Sequence, residues 1–175
     1  MSTPNEYLVI SSSLRKASYS RAMAETLRDA WLALGVSAHF VDLREYELPF
    51  CDAETAYGHV HVPVLSSLIE SARVIVVATP IYNYGANSVV KNLIELTGSS
   101  WENKVVGFLC AAGGASSFMS IMGLANSLML DFRCLIIPRF VYAKGEDFTA
   151  KKQPTEDLAA RIVELAEASV KIRNG

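Results

Sequence analysis

The stretch "SSSLRKASYS", residues 11–20, places five serines, a tyrosine, an arginine and a lysine within ten positions, with no glycine and no acid. Hydroxyls donate and accept, and a guanidinium offers a planar cationic fork. The combination suits an anion with several oxygens, such as a terminal phosphate. The plainer reading is a helix cap by Ser18 or Ser20, which leaves the other hydroxyls and Arg15 unexplained. Two further stretches have unusual composition. "ATPIYNYGANSVVKN" (78–92) carries Pro80, Ile81, Tyr82, Asn83 and Tyr84 ahead of Gly85. Aromatics and an amide there can wall a flat heteroaromatic ring, with backbone groups reading its edge; the alternative is a surface turn whose tyrosines pack on the next helix. "AAGGASS" (111–117) offers Gly113 and Gly114, where a ligand can approach the backbone closely, or simply a flexible turn.

These stretches must be held by something regular. The chain alternates short β-rich runs with amphipathic ones. Strands are expected at 7–11, 37–43, 73–80, 104–114 and 133–142. Helices are expected at 20–35, 62–72, 88–98, 117–132 and 155–173, while 44–59 lacks a period and reads as a loop. In the first helix Ala22, Met23, Leu27, Ala30, Trp31 and Leu34 fall at helical spacing and Gly35 supplies the stop. The last helix has acids at its start and bases at its end, as the macrodipole prefers. Continuous apolar strands mean that both sheet faces are covered. Strict alternation predicts an α/β, doubly wound, three-layer sandwich with a five-stranded parallel sheet. Pro138 within the fifth run suits a border strand. In the flavodoxin-like order 2-1-3-4-5, ligands bind beyond the carboxyl ends of the strands at the switch point between the first and third. The loops gathered there are 11–20, 79–88 and 111–118, the three of unusual composition.

A chain of 175 residues, half of them apolar, is expected to form a single domain over residues 1–175. Sixteen lysines and arginines against eighteen acids give a formal charge of −2. That balance argues against nucleic acid and against electrostatic attachment to a membrane. No apolar run approaches the roughly 20 residues of a spanning helix, and the start "MSTPNEYLVI" does not read as a secretory signal. Cys51, Cys110 and Cys134 sit in no metal-like spacing, so reduced thiols and a cytoplasmic location are expected. "HVHV" (59–62) supplies two histidines to one strand face but no third ligand, so no metal is expected. His39 reads as structural and "KGEDF" (144–148) as a solvated turn. Trp101, Phe118, Met119 and Met122 are large apolar residues near the expected site, with core the default assignment.

Absences narrow the ligand. There is no G-x-G-x-x-G and no G-K-[ST], so neither a dinucleotide fingerprint nor a P-loop is present. The first strand ends in serines and the third in Thr79, which disfavours a receiver domain that needs carboxylates for its metal. A hydroxyl-lined cradle on this fold points to a monophosphate, with FMN the natural candidate.

Together the loops resemble one family, the NAD(P)H-dependent FMN reductases of flavodoxin-like fold, which include quinone-, chromate- and azo-reducing members. The family's phosphate loop looks like G-S-x-R-x-x-S-x-[NS], matched here at Ser13, Arg15, Ser18 and Ser20. Its second motif looks like T-P-E-Y-N followed by K-N-x-[IL]-[DE], matched at Thr79, Pro80, Tyr82, Asn83, Lys91, Asn92 and Glu95. The pair Gly113–Gly114 stands where the family has a glycine-rich turn. Three departures stand out. The family's leading glycine is Ser12, its Pro-Gly before the third helix is Asn87-Ser88, and its usual glutamate is Ile81.

The resemblance implies an FMN-dependent oxidoreductase passing hydride from NADPH or NADH through FMN to a small acceptor (free flavin, a quinone, an azo compound or a metal oxyanion). It implies Ser11, Ser13, Arg15, Ser18 and Ser20 on the phosphate, Pro80, Ile81, Tyr82, Asn83 and Tyr84 as the ring wall, and Gly113, Gly114 and Ser116 at the pyrimidine edge and ribityl side. No catalytic protein residue is required, since the flavin carries the chemistry. A homodimer or homotetramer is implied, a neighbour helping to close the site. The rival is a flavodoxin-type electron carrier that binds FMN without oxidising NAD(P)H. Such carriers tend to be strongly acidic, and −2 is mild. A flavin-free sugar- or nucleotide-binding domain is a third reading, and it would be colourless.

Overall fold

A computed structural model of the chain describes residues 6–172. The start of the N-terminal stretch and the last residue of the expected final helix, Arg173, lie outside the described residues. The strands are β1 (Tyr7–Ser11), β2 (Ala38–Asp42), β3 (Val74–Tyr82), β4 (Gly85–Ala86), β5 (Val105–Ala111), β6 (Leu135–Ile136) and β7 (Val141–Ala143). The helices are α1 (Tyr19–Ala33), α2 (His61–Ser71), α3 (Ser88–Thr97), α4 (Met122–Phe132) and α5 (Glu156–Lys171).

The main sheet runs β2-β1-β3-β5-β6, parallel throughout. Leaving out the short hairpin strand β4, this is the expected flavodoxin-like order 2-1-3-4-5. Because side chains alternate across a strand, the sheet divides its apolar residues between two cores. Leu8, Ile10, Ile75, Val77, Val106 and Phe108 face α2, α3 and α4. Tyr7, Val9, Val74, Val76, Val105 and Leu109 face α1 and α5. Trp31 anchors the second core. It is fully buried, and its indole Nε1 donates to Ser169 Oγ on α5 at 2.9 Å. Gly107 lies at the centre of β5, where an added Cβ would stand 3.1 Å from Ile137 Cδ1 and 3.3 Å from Val76 Cγ2.

The structure departs from the sequence reading in four places. The fifth strand is not continuous over 133–142. It forms as β6 and β7, both paired to β5, with the run broken around Pro138, which has no N–H to give the ladder. The expected helix 117–132 opens as a 3-10 segment, Ala115–Ile121, with Ser117 at non-helical φ/ψ, before α4 begins. The stretch 79–88 contains a hairpin. β3 continues to Tyr82, Asn83 and Tyr84 turn at φ +49° and +64°, and β4 returns, with positive φ at both turn residues as a type I′ turn requires. Finally, His59 precedes α2 and His61 opens it, rather than the two sharing a strand face.

Candidate functional site

β1 ends at Ser11 and α1 begins at Tyr19, so residues 12–18 cross the top of the sheet beside the carboxyl end of β3. Ser18 is the N-cap of α1, its Oγ accepting from Arg21 N at 3.2 Å. The same Oγ lies 2.9 Å from Ser20 Oγ. Ser13 Oγ accepts from Arg15 N at 3.3 Å, which curls the loop inward. Capping does not take Ser18 away from the cavity, since the same serine serves the helix and borders the cavity.

That cavity, of about 550 Å3, lies over the carboxyl ends of β1, β3 and β5, within the size range of small-molecule sites. One side is Ser13, Arg15, Ser18, Tyr19 and Ser20. The opposite side is Pro80, Ile81, Tyr82 and Asn83 from the hairpin, and the third is Ala111, Ala112 and Gly113 after β5. Gly145, from the loop after β7, completes it. The lining holds one guanidinium and no carboxylate.

Arg15 is the decisive residue. Every other described arginine, at 21, 28, 44, 73, 133, 139 and 161, is in an ion pair. Arg15 alone of the described arginines has no carboxylate partner, and it stands on the cavity wall. Two other arginines near the loop are paired elsewhere. Buried Asp42 takes both Arg21 and Arg44, and Arg44 Nη1 donates to the carbonyl of Lys16 at 3.4 Å, tethering the loop to β2. A free cation facing three hydroxyls at a helix N-terminus is a donor set for an oxyanion.

Of the thirteen residues singled out in the sequence, nine line the cavity. Ser11 does not: as the last residue of a buried strand it is fully inside, and its Oγ has no hydrogen-bond partner. Tyr84 sits at the hairpin tip, largely exposed. Gly114 and Ser116 follow the turn away from the cavity, and the Gly114 carbonyl accepts from the Tyr142 hydroxyl, which also lies 2.8 Å from Ser117 Oγ. Gly113 lines the cavity, and an added Cβ there would meet nothing within 4 Å.

Sequence reading did not assign Tyr19, Ala111, Ala112 or Gly145 to the site. Tyr19 and Gly145 sit on the side that Phe148 supports, its ring stacked on Tyr19 with centroids 4.3 Å apart. The only signal for Gly145 was a glycine in the loop after a fifth strand, which is a sheet-top loop by the same topology argument. Trp101 is core, its Nε1 donating to Thr97 Oγ1 at 2.8 Å. Phe118, Met119 and Met122 are exposed.

Cys110, one residue before the cavity wall, is fully buried, and burial pushes its thiol up to about 12. It is a core side chain and no nucleophile.

The chain is similar in sequence and fold to known flavin reductases. An "NAD(P)H-dependent FAD/FMN reductase" of Geobacillus thermodenitrificans is 27% identical over 135 residues, covering 75% of this chain and 72% of the relative. An "NADH-dependent FMN reductase SfnE" of Pseudomonas putida is 27% identical over 177 residues, covering 97% of this chain and 93% of the relative. The solved structure of FerB, described as a flavoenzyme NAD(P)H:(acceptor) oxidoreductase from Paracoccus denitrificans, superposes with a TM-score of 0.75 at 22% identity over 94% of both chains, a likeness of fold. The family model for NADPH-dependent FMN reductases matches residues 6–149, a span that takes in every loop of the cavity. The chain therefore belongs to the NADPH-dependent FMN reductase family.

Proposed function

We propose that the chain is an FMN-dependent NAD(P)H oxidoreductase that reduces a small acceptor such as free flavin, a quinone, an azo compound or a metal oxyanion. The observation that carries this reading is the unpaired Arg15, with Ser13, Ser18 and Ser20, facing a largely apolar wall across one cavity. The residues present fit FMN. The hydroxyls and the guanidinium would hold the phosphate, Pro80, Ile81, Tyr82 and Asn83 would flank the ring, and the chain around Gly113 would border the pyrimidine and ribityl side. When bound, FMN would supply the redox chemistry that links NADPH or NADH to the acceptor.

The chain's own contribution is positional. Arg15 and the α1 N-terminus favour the dianion. The hairpin strand β4 braces the wall. Tyr82, 56% exposed, leaves a face that a nicotinamide or an acceptor can reach. No side chain in the lining is placed as a general acid or base, so none is assigned a proton.

Residues 1–175 are read as one flavodoxin-like FMN-binding domain, supported by the single sheet that joins the described strands. A homodimer or homotetramer is supported by the exposed apolar residues Tyr84, Phe118, Met119 and Met122 near the site. A cytoplasmic location is supported by three free cysteines. Among the described residues no helix is long and apolar enough to cross a membrane.

The test is to purify the protein with FMN and supply NADPH or NADH with a quinone, in air and then without oxygen. Sustained pyridine-nucleotide oxidation that depends on FMN is expected. A yellow protein that turns over only when a partner reductase is added would instead be an electron carrier, and a colourless one that takes up no FMN would end the flavin reading.

A further inference from the structure

Asn87 occupies the N-cap of α3, with φ −63° and ψ 155°, yet its side chain makes no capping bond. Asparagine is among the best N-cap residues, and forgoing the cap leaves a helix donor unserved. The side chain points elsewhere. Its Nδ2 donates to the backbone carbonyl of Ser12 at 2.8 Å, and its Oδ1 accepts from Ser12 Oγ at 2.9 Å. The same Oδ1 lies 3.1 Å from Thr79 Oγ1, which donates to it, and Asn87 N donates back to Thr79 Oγ1 at 3.4 Å. A carbonyl can only accept, so Ser12 O fixes which end of the amide faces it. All three residues are buried.

The three come from three places. Ser12 opens the phosphate-side loop, one residue before Ser13. Thr79 lies in β3, just before Pro80 and Ile81. Asn87 follows β4, the return strand of the hairpin that carries Tyr82 and Asn83. Both departures from the family pattern on this side of the cavity, serine for glycine and asparagine for proline, thus meet in one contact across 75 positions of sequence.

We infer that Asn87, through Ser12 and Thr79, is a positioning residue that fixes the distance between the oxyanion cradle and the ring wall, so that a ligand bearing both a phosphate and a flat ring engages both ends at once. This rests on the flavin reading above. The advantage is one of effective concentration: with the two half-sites held at the correct span, binding at one end places the other end within reach. If the span drifts, each half-site keeps its own contacts and only their joint action suffers.

The experiment compares FMN with riboflavin, which has the ring but no phosphate, by titration of flavin fluorescence against wild type, Asn87→Ala, Ser12→Ala and the double variant. Asn87→Ala is expected to weaken FMN about tenfold, the worth of one or two net hydrogen bonds, while riboflavin affinity stays within twofold. Ser12→Ala is expected to shift the same way by less, because Thr79 still holds the amide. The double variant should be no worse than Asn87→Ala alone, since both changes remove the same bond. Should Asn87→Ala fail to fold, Ser12→Ala decides alone. Equal weakening of FMN and riboflavin would mean that the contact only supports the fold, and unchanged FMN affinity would mean that the span does not depend on it. Either result overturns the inference while leaving the flavin reading in place, whereas a wild-type protein that binds neither flavin overturns both.

Discussion

Arg15→Ala is the perturbation that bears most directly on the cradle. In the free protein the Arg15 guanidinium has no partner among the described residues and its side chain is exposed, so removing it costs the fold almost nothing. Any loss of FMN affinity is then a lost ligand contact and not collateral damage, a separation seldom available at a binding site. A hydrogen bond to a charged group is worth about 1.5–3 kcal/mol, or roughly 10–150-fold in Kd. Exposure argues for the lower half, because water screens a surface cation. The expected result is an increase of about 10–40-fold in Kd for FMN, with the melting temperature unchanged and riboflavin binding unaffected. Arg15→Lys should fall between, keeping the charge but losing the fork. The wild-type advantage should also shrink as salt is raised from 0.05 to about 0.5 M, because the Debye length contracts. Fluorescence titration of both flavins with a parallel thermal melt measures all of this. A Kd within twofold of wild type at low salt would refute the cradle, and an equal loss for riboflavin would relocate Arg15 to the ring.

Three further expectations follow from the described geometry. Gly107→Val should lower stability by about 1–3 kcal/mol through overpacking, seen as a drop of several degrees in Tm, because Ile137 and Val76 leave no room for a branched side chain; an unchanged Tm would refute the tight packing of β5. Asp52 takes hydrogen bonds from the Thr55 hydroxyl and from Ala56 N and Glu54 N, which lower its carboxyl to about 2. Since the folded value lies below the unfolded one near 3.9, this contribution to stability is fully present above about pH 4 and is lost as pH falls toward 2; a carboxyl NMR titration with an ordinary midpoint would contradict it. Burial raises Cys110 to about 12 and Cys134 to about 11, so a thiol reagent at neutral pH should label Cys51 alone in the native protein and all three cysteines after denaturation, as counted by mass spectrometry.

Much of this molecule was legible in the sequence, and the exceptions have physical causes. Long β-branched runs such as 73–80 identify buried parallel strands because β-branched residues favour extended backbone and Pro80 ends the run before it reaches helix length. Strand β4 escaped notice because it has only two residues, Gly85 and Ala86, with little strand preference of their own. Its turn was obscured because Tyr84 stands where a glycine would announce it. The split of the last strand was half visible, since Pro138 marked an edge but could not tell an edge from a break. At the site, the place of Ser13, Arg15, Ser18 and Ser20 on the cavity wall was readable because the strand order puts the first loop over the carboxyl ends of the strands. Ser11 was misleading because the same residue type at the last strand position points into the core. Gly145 and the partnership of Ser12 with Asn87 depend on which loops the fold brings together. Composition gives no sign of that, although each of those two departures from the family pattern was visible alone.

The broken strand pair β6 and β7 has a consequence for behaviour in concentrated solution. An unbroken outer strand would offer a neighbouring molecule a row of unsatisfied amides on which to extend the sheet. Here the two short segments are interrupted by Pro138 and followed by the charged Arg139, which is itself held by Glu164. Along that flank the chain presents no continuous row of amides on which a second copy could extend the sheet.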